Sequence, residues 1–404
     1  MSSPIINLIF LKLTCMSNVA FNNIVKLHTL AGIYIHIPFC KQTCNYCNFH
    51  FTTNIKKKEL FIDALKKEIL SENEFIPNSE CIESIYFGGG TPSLLLPSEL
   101  DEILSLLHKN FKVLQGAEIT LEANPDDINS VILDQWHKLG INRLSVGVQT
   151  FINEELQWMN RAHTAEHSLN CIKMINNSLI NNYSVDLIFG SPLLTDEDLK
   201  KNLSIIIKNQ IPHISCYALT IEKKTPFYKA VKNLQSKNID ANKQADQFLL
   251  VLDTLENNGY EQYEISNYAK PGMRSKHNSS YWQNKPYYGF GPSAHAYDGK
   301  NIRKWNVSNT SLYIQQAGNE IIFEKESLST NQLLNEYVMT SLRTKEGIDL
   351  NIISNLYGVD YLNELKTAIT KFISGGKLIN NDGRIQLTRE GKLFADGIAA
   401  DLFF

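Results

Sequence analysis

A chain of 404 residues, 43% hydrophobic and 20% charged, carries enough apolar material for one large domain and a smaller second one. Its formal net charge of -3 lacks the basic footprint by which nucleic-acid binders hold phosphate, so no nucleic-acid partner is expected. The seven cysteines are odd in number and three of them cluster at Cys40, Cys44 and Cys47, which points to a reducing, cytoplasmic setting rather than a disulfide framework.

The apolar run at residues 4–13 is too short to span a bilayer and lacks the basic opening of a signal peptide. Cys15 follows Leu-Lys-Leu-Thr, with no small residue before it, a poor lipoprotein site. From Gly32 onward strand and helix alternate. Strands are expected at residues 33–37, 82–87, 118–122, 143–149, 184–189 and 213–219. Helices are expected at 56–75, with Leu60, Ala64, Leu65 and Ile69 on one face, and at 98–110, 129–139, 167–176 and 196–209. Gly140 is the expected C-cap of the third. This alternation predicts an α/β fold, a parallel sheet covered by helices. About six units suggest a partial (β/α)6 barrel rather than the full eight.

The polar motifs fall at or near the C-terminal ends of these strands, which share one mouth in a barrel. The first strand leads into Cys40-Lys-Gln-Thr-Cys44-Asn-Tyr-Cys47, spaced C-x-x-x-C-x-x-C. Thiolates are the soft ligands an iron–sulfur cube needs, and three of them leave one iron open to a small chelating molecule. The competing reading is zinc, which wants four ligands; His36 and His50 lie nearby, but no fourth partner is obvious. Gly88-Gly89-Gly90-Thr91-Pro92-Ser93 follows the second strand, Glu122 ends the third, Gln149 ends the fourth, and Asp186 lies within the fifth. Taken singly, each has a plainer reading: a glycine turn, a solvated strand end, a satisfied backbone group, a paired core charge.

C-x-x-x-C-x-x-C is the signature of the radical S-adenosylmethionine (SAM) superfamily, and this chain resembles it strongly. The wider string Tyr34-Ile-His-Ile-Pro-Phe-Cys40 resembles the branch that holds the oxygen-independent coproporphyrinogen III oxidases and the related haem chaperones. The resemblance implies a [4Fe-4S] cluster on Cys40, Cys44 and Cys47, with SAM chelated at the open iron. By position it also implies that Gly89, Gly90 and Thr91 line the methionine end of SAM. Glu122, Gln149, Arg161, Asp186, Tyr34 and Tyr46 match further SAM-pocket positions. Arginine suits a carboxylate because its planar fork donates two parallel hydrogen bonds. Residues 1–31 lie outside the family pattern and are expected to be a dispensable extension.

Beyond the barrel, expected at 32–240, residues 241–258 read as a long helix ended by Gly259, and 261–267 as strand-like. His277-Asn-Ser-Ser-Tyr-Trp282 and Tyr288-Gly-Phe-Gly-Pro-Ser-Ala-His295 read as irregular, within a connecting segment at 241–327. H-N-x-x-Y-W belongs to the chaperone branch, where the resemblance implies haem binding, and His277 becomes the first candidate for an axial ligand. Its plainer reading is a packed loop whose histidines are hydrogen-bonded. Residues 328–404 predict helices at 333–342, 350–357 and 362–375, then a hairpin about Asn381-Asp-Gly383, as in a mainly helical winged-helix-like domain.

Two functions compete on this scaffold, with a radical SAM enzyme acting on another substrate as a third reading. One is radical SAM oxidation of coproporphyrinogen III. The other is a haem chaperone that keeps the cluster and SAM, binds haem and passes it to an acceptor protein, meeting a membrane only transiently through that acceptor. The oxidase pattern continues to a fourth cysteine, C-x-x-x-C-x-x-C-x-C, where this chain has Phe49. That departure, with H-N-x-x-Y-W, favours the chaperone.

Overall fold

The computed structural model describes residues 30–71, 76–77, 79–234, 238–316 and 323–404. The apolar run at 4–13, Cys15 and all but the last two residues of the expected extension lie outside the described residues.

Six parallel strands form the centre of the sheet: β1 (Leu30–Ile37), β2 (Cys81–Gly89), β3 (Val113–Ala123), β4 (Arg143–Gln149), β5 (Tyr183–Phe189) and β6 (His213–Ala218). Between them run α1 (Lys58–Ser71), α2 (Pro97–Asn110), α3 (Ser130–Lys138), the pair α4 (Asn153–Trp158) and α5 (Ala165–Asn176), and α6 (Asp196–Lys208). Helix starts are set by side chains that accept from orphan backbone donors, Asn129 for α3 and Thr195 for α6. Gly140, at φ +90°, lets the chain leave α3 sharply, as expected of a C-cap.

Each central strand alternates, and the alternation separates two faces. Ile33, Ile35 and Ile37, then Ile85 and Phe87, Leu121, Leu144 and Val146, and Val185 and Leu187 belong to the main apolar core beneath the helices. Their neighbours on the other face are polar: Tyr34 and His36, Ser84 and Tyr86, Glu118 and Glu122, Arg143 and Ser145, Ser184 and Asp186. Register aligns these rows, pairing Tyr34 with Tyr86, Ser84 with Glu118, Ser145 with Ser184 and Asp186 with Ser215. Strands of parallel sheets buried on both faces tend to be apolar throughout, so a polar row on one face marks it for chemistry or for an internal polar packing.

The first helix differs from expectation. A short turn, Ile55–Lys57, precedes α1, and Leu60 points outward at 56% exposure while Phe61, Ile62, Leu65 and Ile69 are buried. A step of about 100° per residue puts 61, 65 and 69 on one stripe and Leu60 beside it.

The sheet is also wider than six strands. After α7 (Pro226–Lys232) and α8 (Ala241–Glu256), β7 (Glu261–Glu264) and β8 (Asn267–Ala269) extend it antiparallel beyond β6. His277–Trp282 is not irregular: it falls in a helix, α9 (Lys276–Trp282). β9 (Tyr287–Phe290) then pairs parallel with β1, and β10 (His295–Tyr297), β11 (Ile302–Asn306) and, after α10 (Thr310–Gln316), β12 (Phe323–Ser327) continue as an antiparallel ribbon. The segment expected to connect two domains therefore builds both flanks of a twelve-stranded sheet.

The C-terminal part has its own core, which includes Leu334, Val338, Ile353, Leu365 and Ile385. It contains α11 (Thr330–Leu342), β13 (Ile348–Asp349), α12 (Leu350–Ile352) running into a π-helical turn at Ile353–Tyr357, and α13 (Val359–Ser374). The hairpin of β14 (Leu378–Asn381) and β15 (Arg384–Leu387) turns through Asp382 and Gly383, both at positive φ, as a tight two-residue turn requires; α14 (Ala395–Asp401) closes the chain. β13 completes a three-stranded sheet, giving the expected helical, winged arrangement. Arg343–Lys345 bonds along β7, through Ile265 N–H to Arg343 carbonyl and Lys345 N–H to Tyr263 carbonyl, so this part covers one sheet edge.

Candidate functional site

The C-terminal ends of β1 to β6 open into a cavity of about 480 Å³. Its lining includes Cys40, Cys44, Tyr46, Cys47, Gly89, Gly90, Thr91, Glu122, Gln149, Arg161 and Asp186. Eleven of the thirteen residues singled out from the sequence thus meet in one place. Tyr34 and His277 do not line it.

The loop carrying the three cysteines is tied at several points. Cys40 N–H donates to the Thr52 carbonyl (3.0 Å), and Asn45 N–H donates to that of Met159 (3.0 Å). Asn45 Nδ2 donates to the Trp158 carbonyl (2.6 Å), and Gln42 Nε2 to that of Asn160 (2.8 Å). Lys41 bridges to Asp126 (2.6 Å) and Asp127. Cys40, Cys44 and Cys47 are free thiols, each partly exposed. Burial pushes the Cys40 thiol up to about 11, against a hydrogen bond from Thr91 Oγ1 at 3.6 Å. Among the described residues no three His, Cys, Asp or Glu side chains are gathered closely enough for a single metal ion. What the thiols share is a cavity wall; a cube takes one thiolate per iron and has no need of one central point. The remaining described cysteines, Cys81, Cys171 and Cys216, are buried.

The glycine loop comes close to the cysteine loop because it lacks side chains. A Cβ at Gly90 would stand 2.7 Å from the Phe39 carbonyl oxygen, and Gly90 N–H donates to the Ile37 carbonyl at 2.8 Å. Gly89, at φ +109°, lies against the His36 ring. That ring donates through Nε2 to the His50 carbonyl (2.9 Å) and accepts at Nδ1 from Tyr34 (3.2 Å), so His36 is engaged in holding the two loops.

Beside Cys44 lies Arg161. Its Nη1 reaches Cys44 Sγ (3.2 Å) and the Tyr46 hydroxyl (3.3 Å); its Nη2 donates to Asn124 Oδ1 (2.6 Å) and the Gly147 carbonyl (2.8 Å). Its Nε is buried without a partner. Gln149 sits at φ 68° where the register of β4 against β5 slips, a bulge of the kind that re-aims a side chain at a strand end. Two carboxyls complete the wall. Burial pushes Glu122 up to about 7; Tyr86 (2.8 Å) and Gly89 N–H (3.2 Å) donate to it. Burial likewise raises Asp186 to about 6, against hydrogen bonds from Ser215 and Ser145 and the charge of Arg161.

Asn124 was not among the residues expected in the site, although it links Arg161 to Thr91 (3.3 Å). It follows β3 directly, as the other motifs follow their strands, and that placement was the available signal. Tyr217 and Leu219, at the end of β6, also line the cavity without having carried a motif.

His277 stands elsewhere. It is 1% exposed, beneath the cavity, with Nδ1 bonded to Ser84 Oγ (2.8 Å) and Nε2 to the Tyr281 hydroxyl (2.9 Å). Both ring nitrogens being occupied, neither is open to a haem iron, and its expectation as an axial ligand does not fit this arrangement. Tyr34 stacks on Tyr86 and His277 and does not line the cavity.

The residues around the cavity fit a cluster and a charged amino-acid ligand. Three soft thiols share one loop, backbone is laid bare by glycine, and a guanidinium with an unpartnered buried Nε lines the same cavity as two carboxyls.

A model of the radical SAM superfamily matches residues 34–205, and one of the HemN C-terminal domain matches 328–394. The chain is 31% identical over 358 residues to the heme chaperone HemW of Lactococcus lactis, covering 89% of this chain and 93% of that one. It is 30% identical over 378 residues to HemW of Bacillus subtilis, covering 91% and 98%. The solved coproporphyrinogen III oxidase (HemN) of Escherichia coli superposes with a TM-score of 0.80 at 23% identity, over 93% of this chain and 90% of that one. This chain belongs to the radical SAM superfamily, in the coproporphyrinogen III oxidase-like branch that includes the heme chaperones HemW. Membership implies a [4Fe-4S] cluster and SAM. Among the described residues no helix is long and apolar enough to cross a membrane.

Proposed function

We propose that this protein is a haem chaperone that binds haem and transfers it to an acceptor protein in the cytoplasm, carrying a [4Fe-4S] cluster and SAM in the cavity. Cys40, Cys44 and Cys47 would hold three irons as thiolates. Bound there, the cluster supplies an open iron that the amino and carboxylate groups of SAM can chelate. Arg161 carries a permanent cation suited to a carboxylate. Glu122 and Asp186 can accept hydrogen bonds from an ammonium and, when ionised, offset the charge of a sulfonium. Gly89, Gly90 and Thr91 let ligand atoms approach the backbone, and Gln149 and Tyr46 add polar and aromatic contact. The division into a barrel at 32–240, a segment at 241–327 and a C-terminal domain at 328–404, with residues 1–31 dispensable, belongs to the same proposal.

The observation that carries the chaperone reading is Phe49. It lines the cavity and is 68% exposed, at the position where the oxidase pattern requires a fourth thiol. A phenyl ring offers no sulfur and no acid–base group there, while a large exposed aromatic suits a flat macrocycle. The names of the relatives agree with this reading. The test is anaerobic reconstitution followed by haem titration, with coproporphyrinogen III turnover measured in parallel. Tight haem binding without decarboxylation supports the chaperone; anaerobic formation of protoporphyrinogen makes the protein an oxidase instead.

A further inference from the structure

His277 occupies a closed polar site on the inner face of the barrel, 1% exposed. The helix that bears it, α9, starts on a buried carboxylate from β3: Glu118 accepts from Lys276 N–H (3.0 Å), His277 N–H (3.0 Å) and Ser275 Oγ (3.3 Å). That anchor presses the His277 ring onto β1 and β2. A Cβ added at Gly32 would stand 3.1 Å from the ring, so the fit leaves no slack. The ring stacks on Tyr86 at 5.0 Å and 23°, and on Tyr34 at 6.5 Å and 26°. Tyr281, one helical turn on, meets it edge-on at 5.1 Å and rests in turn on Tyr287 of β9. Burial pushes the imidazole down to about 3, so the ring is neutral and each nitrogen takes one hydroxyl partner. The Tyr86 hydroxyl, above this stack, donates to Glu122 in the cavity wall.

We propose that His277 is a positioning residue: from beneath the cavity it packs against Tyr34 and holds Tyr86, and through Tyr86 it fixes the Glu122 carboxyl in the orientation presented to SAM. A haem deficit after loss of this histidine would then reflect a misplaced wall rather than a lost iron ligand. The inference rests on the reading of the cavity as the SAM site.

The experiment uses the full chain with its reconstituted cluster and measures SAM affinity by equilibrium binding, together with the Soret band of added haem. His277→Ala should keep its iron, lose about tenfold in SAM affinity, as deletions of ligand-supporting groups commonly do, and leave the Soret position unchanged. His277→Phe, which keeps a ring for the stack but has no nitrogen, covers the case in which the alanine variant fails to fold. It should recover SAM affinity to within about threefold of the parent, since the aromatic stack is the larger part of the support. SAM binding equal in the parent and His277→Ala overturns the inference, as does a Soret shift in His277→Phe with SAM affinity intact. Failure of the parent itself to bind SAM overturns the cavity reading first, and is distinguishable for that reason.

Discussion

The inner face of the barrel has two ends built from the same strands and the same residue types, yet they are finished differently. At the closed end Glu118, Ser84, His277 and Tyr281 are matched donor to acceptor, under a helix. At the open end Arg161 keeps a buried Nε without a partner, Glu122 and Asp186 lie in the cavity wall with raised affinity for protons, and three thiols remain free. A satisfied polar network specifies and stiffens; an incompletely satisfied one in a cavity is shaped for a ligand. The polar face alone identifies neither role; closure over it does.

The largest effects should separate the two ends by kind. Replacing Cys40, Cys44 and Cys47 together by alanine should abolish iron binding while the far-ultraviolet circular dichroism stays that of the parent. Reconstituted triple variant that kept iron and visible absorbance would contradict the assignment of the open end.

At the closed end the reverse holds, and stability should fall. Glu118→Ala leaves two backbone donors of α9 without their acceptor, which should cost about 3 kcal/mol in denaturant unfolding. A loss below about 0.5 kcal/mol, the range of ordinary surface changes, would show that Glu118 does not anchor the helix.

A smaller effect concerns protons. The Glu122 carboxyl, raised by burial from 4.5 to about 7, holds its proton in the folded protein after the unfolded chain has released its own. Below pH 4.5 both states are protonated and the group contributes nothing. Between about 4.5 and 7 the folded state binds more protons, so stability of the cluster-free protein falls as pH rises. Glu122→Gln should flatten that decline, with Asp186 leaving a weaker slope of the same sign. An unchanged slope in the variant would place the raised affinity elsewhere. The smallest effect is expected at the cavity rim: Phe49→Ser should alter unfolding free energy by less than about 0.5 kcal/mol, because the ring is 68% exposed. A larger loss would make Phe49 part of the fold's support.

Much of this was legible in the sequence. Strand–helix repetition marked all six central strands, and motifs at the strand ends marked the cavity, since parallel strands bring those ends together whatever their separation in the chain. Depth was not legible. Tyr34, Tyr86 and Glu122 share one face, but only pairing with β9 and the seating of α9 show which of them a ligand could reach. Residues 261–267 were read as strand-like and hold β7, but the strands from β8 to β12 are three to five residues long, too short for alternation to distinguish them from a loop. Leu60 fell on the wrong side because one residue turns a helix face by about 100°, and several apolar stripes were available. The histidine motif announced that something aromatic and polar was needed; it could not announce that both ring nitrogens would already be engaged.

The open end is tested most directly by electron paramagnetic resonance of the reduced, reconstituted protein with and without SAM. The expected result is a cluster signal whose g-values shift when SAM is added, with the shift strongly reduced in Arg161→Ala. A signal indifferent to SAM in the parent protein would contradict the assignment of the thiol-lined cavity as the place where cluster and SAM meet.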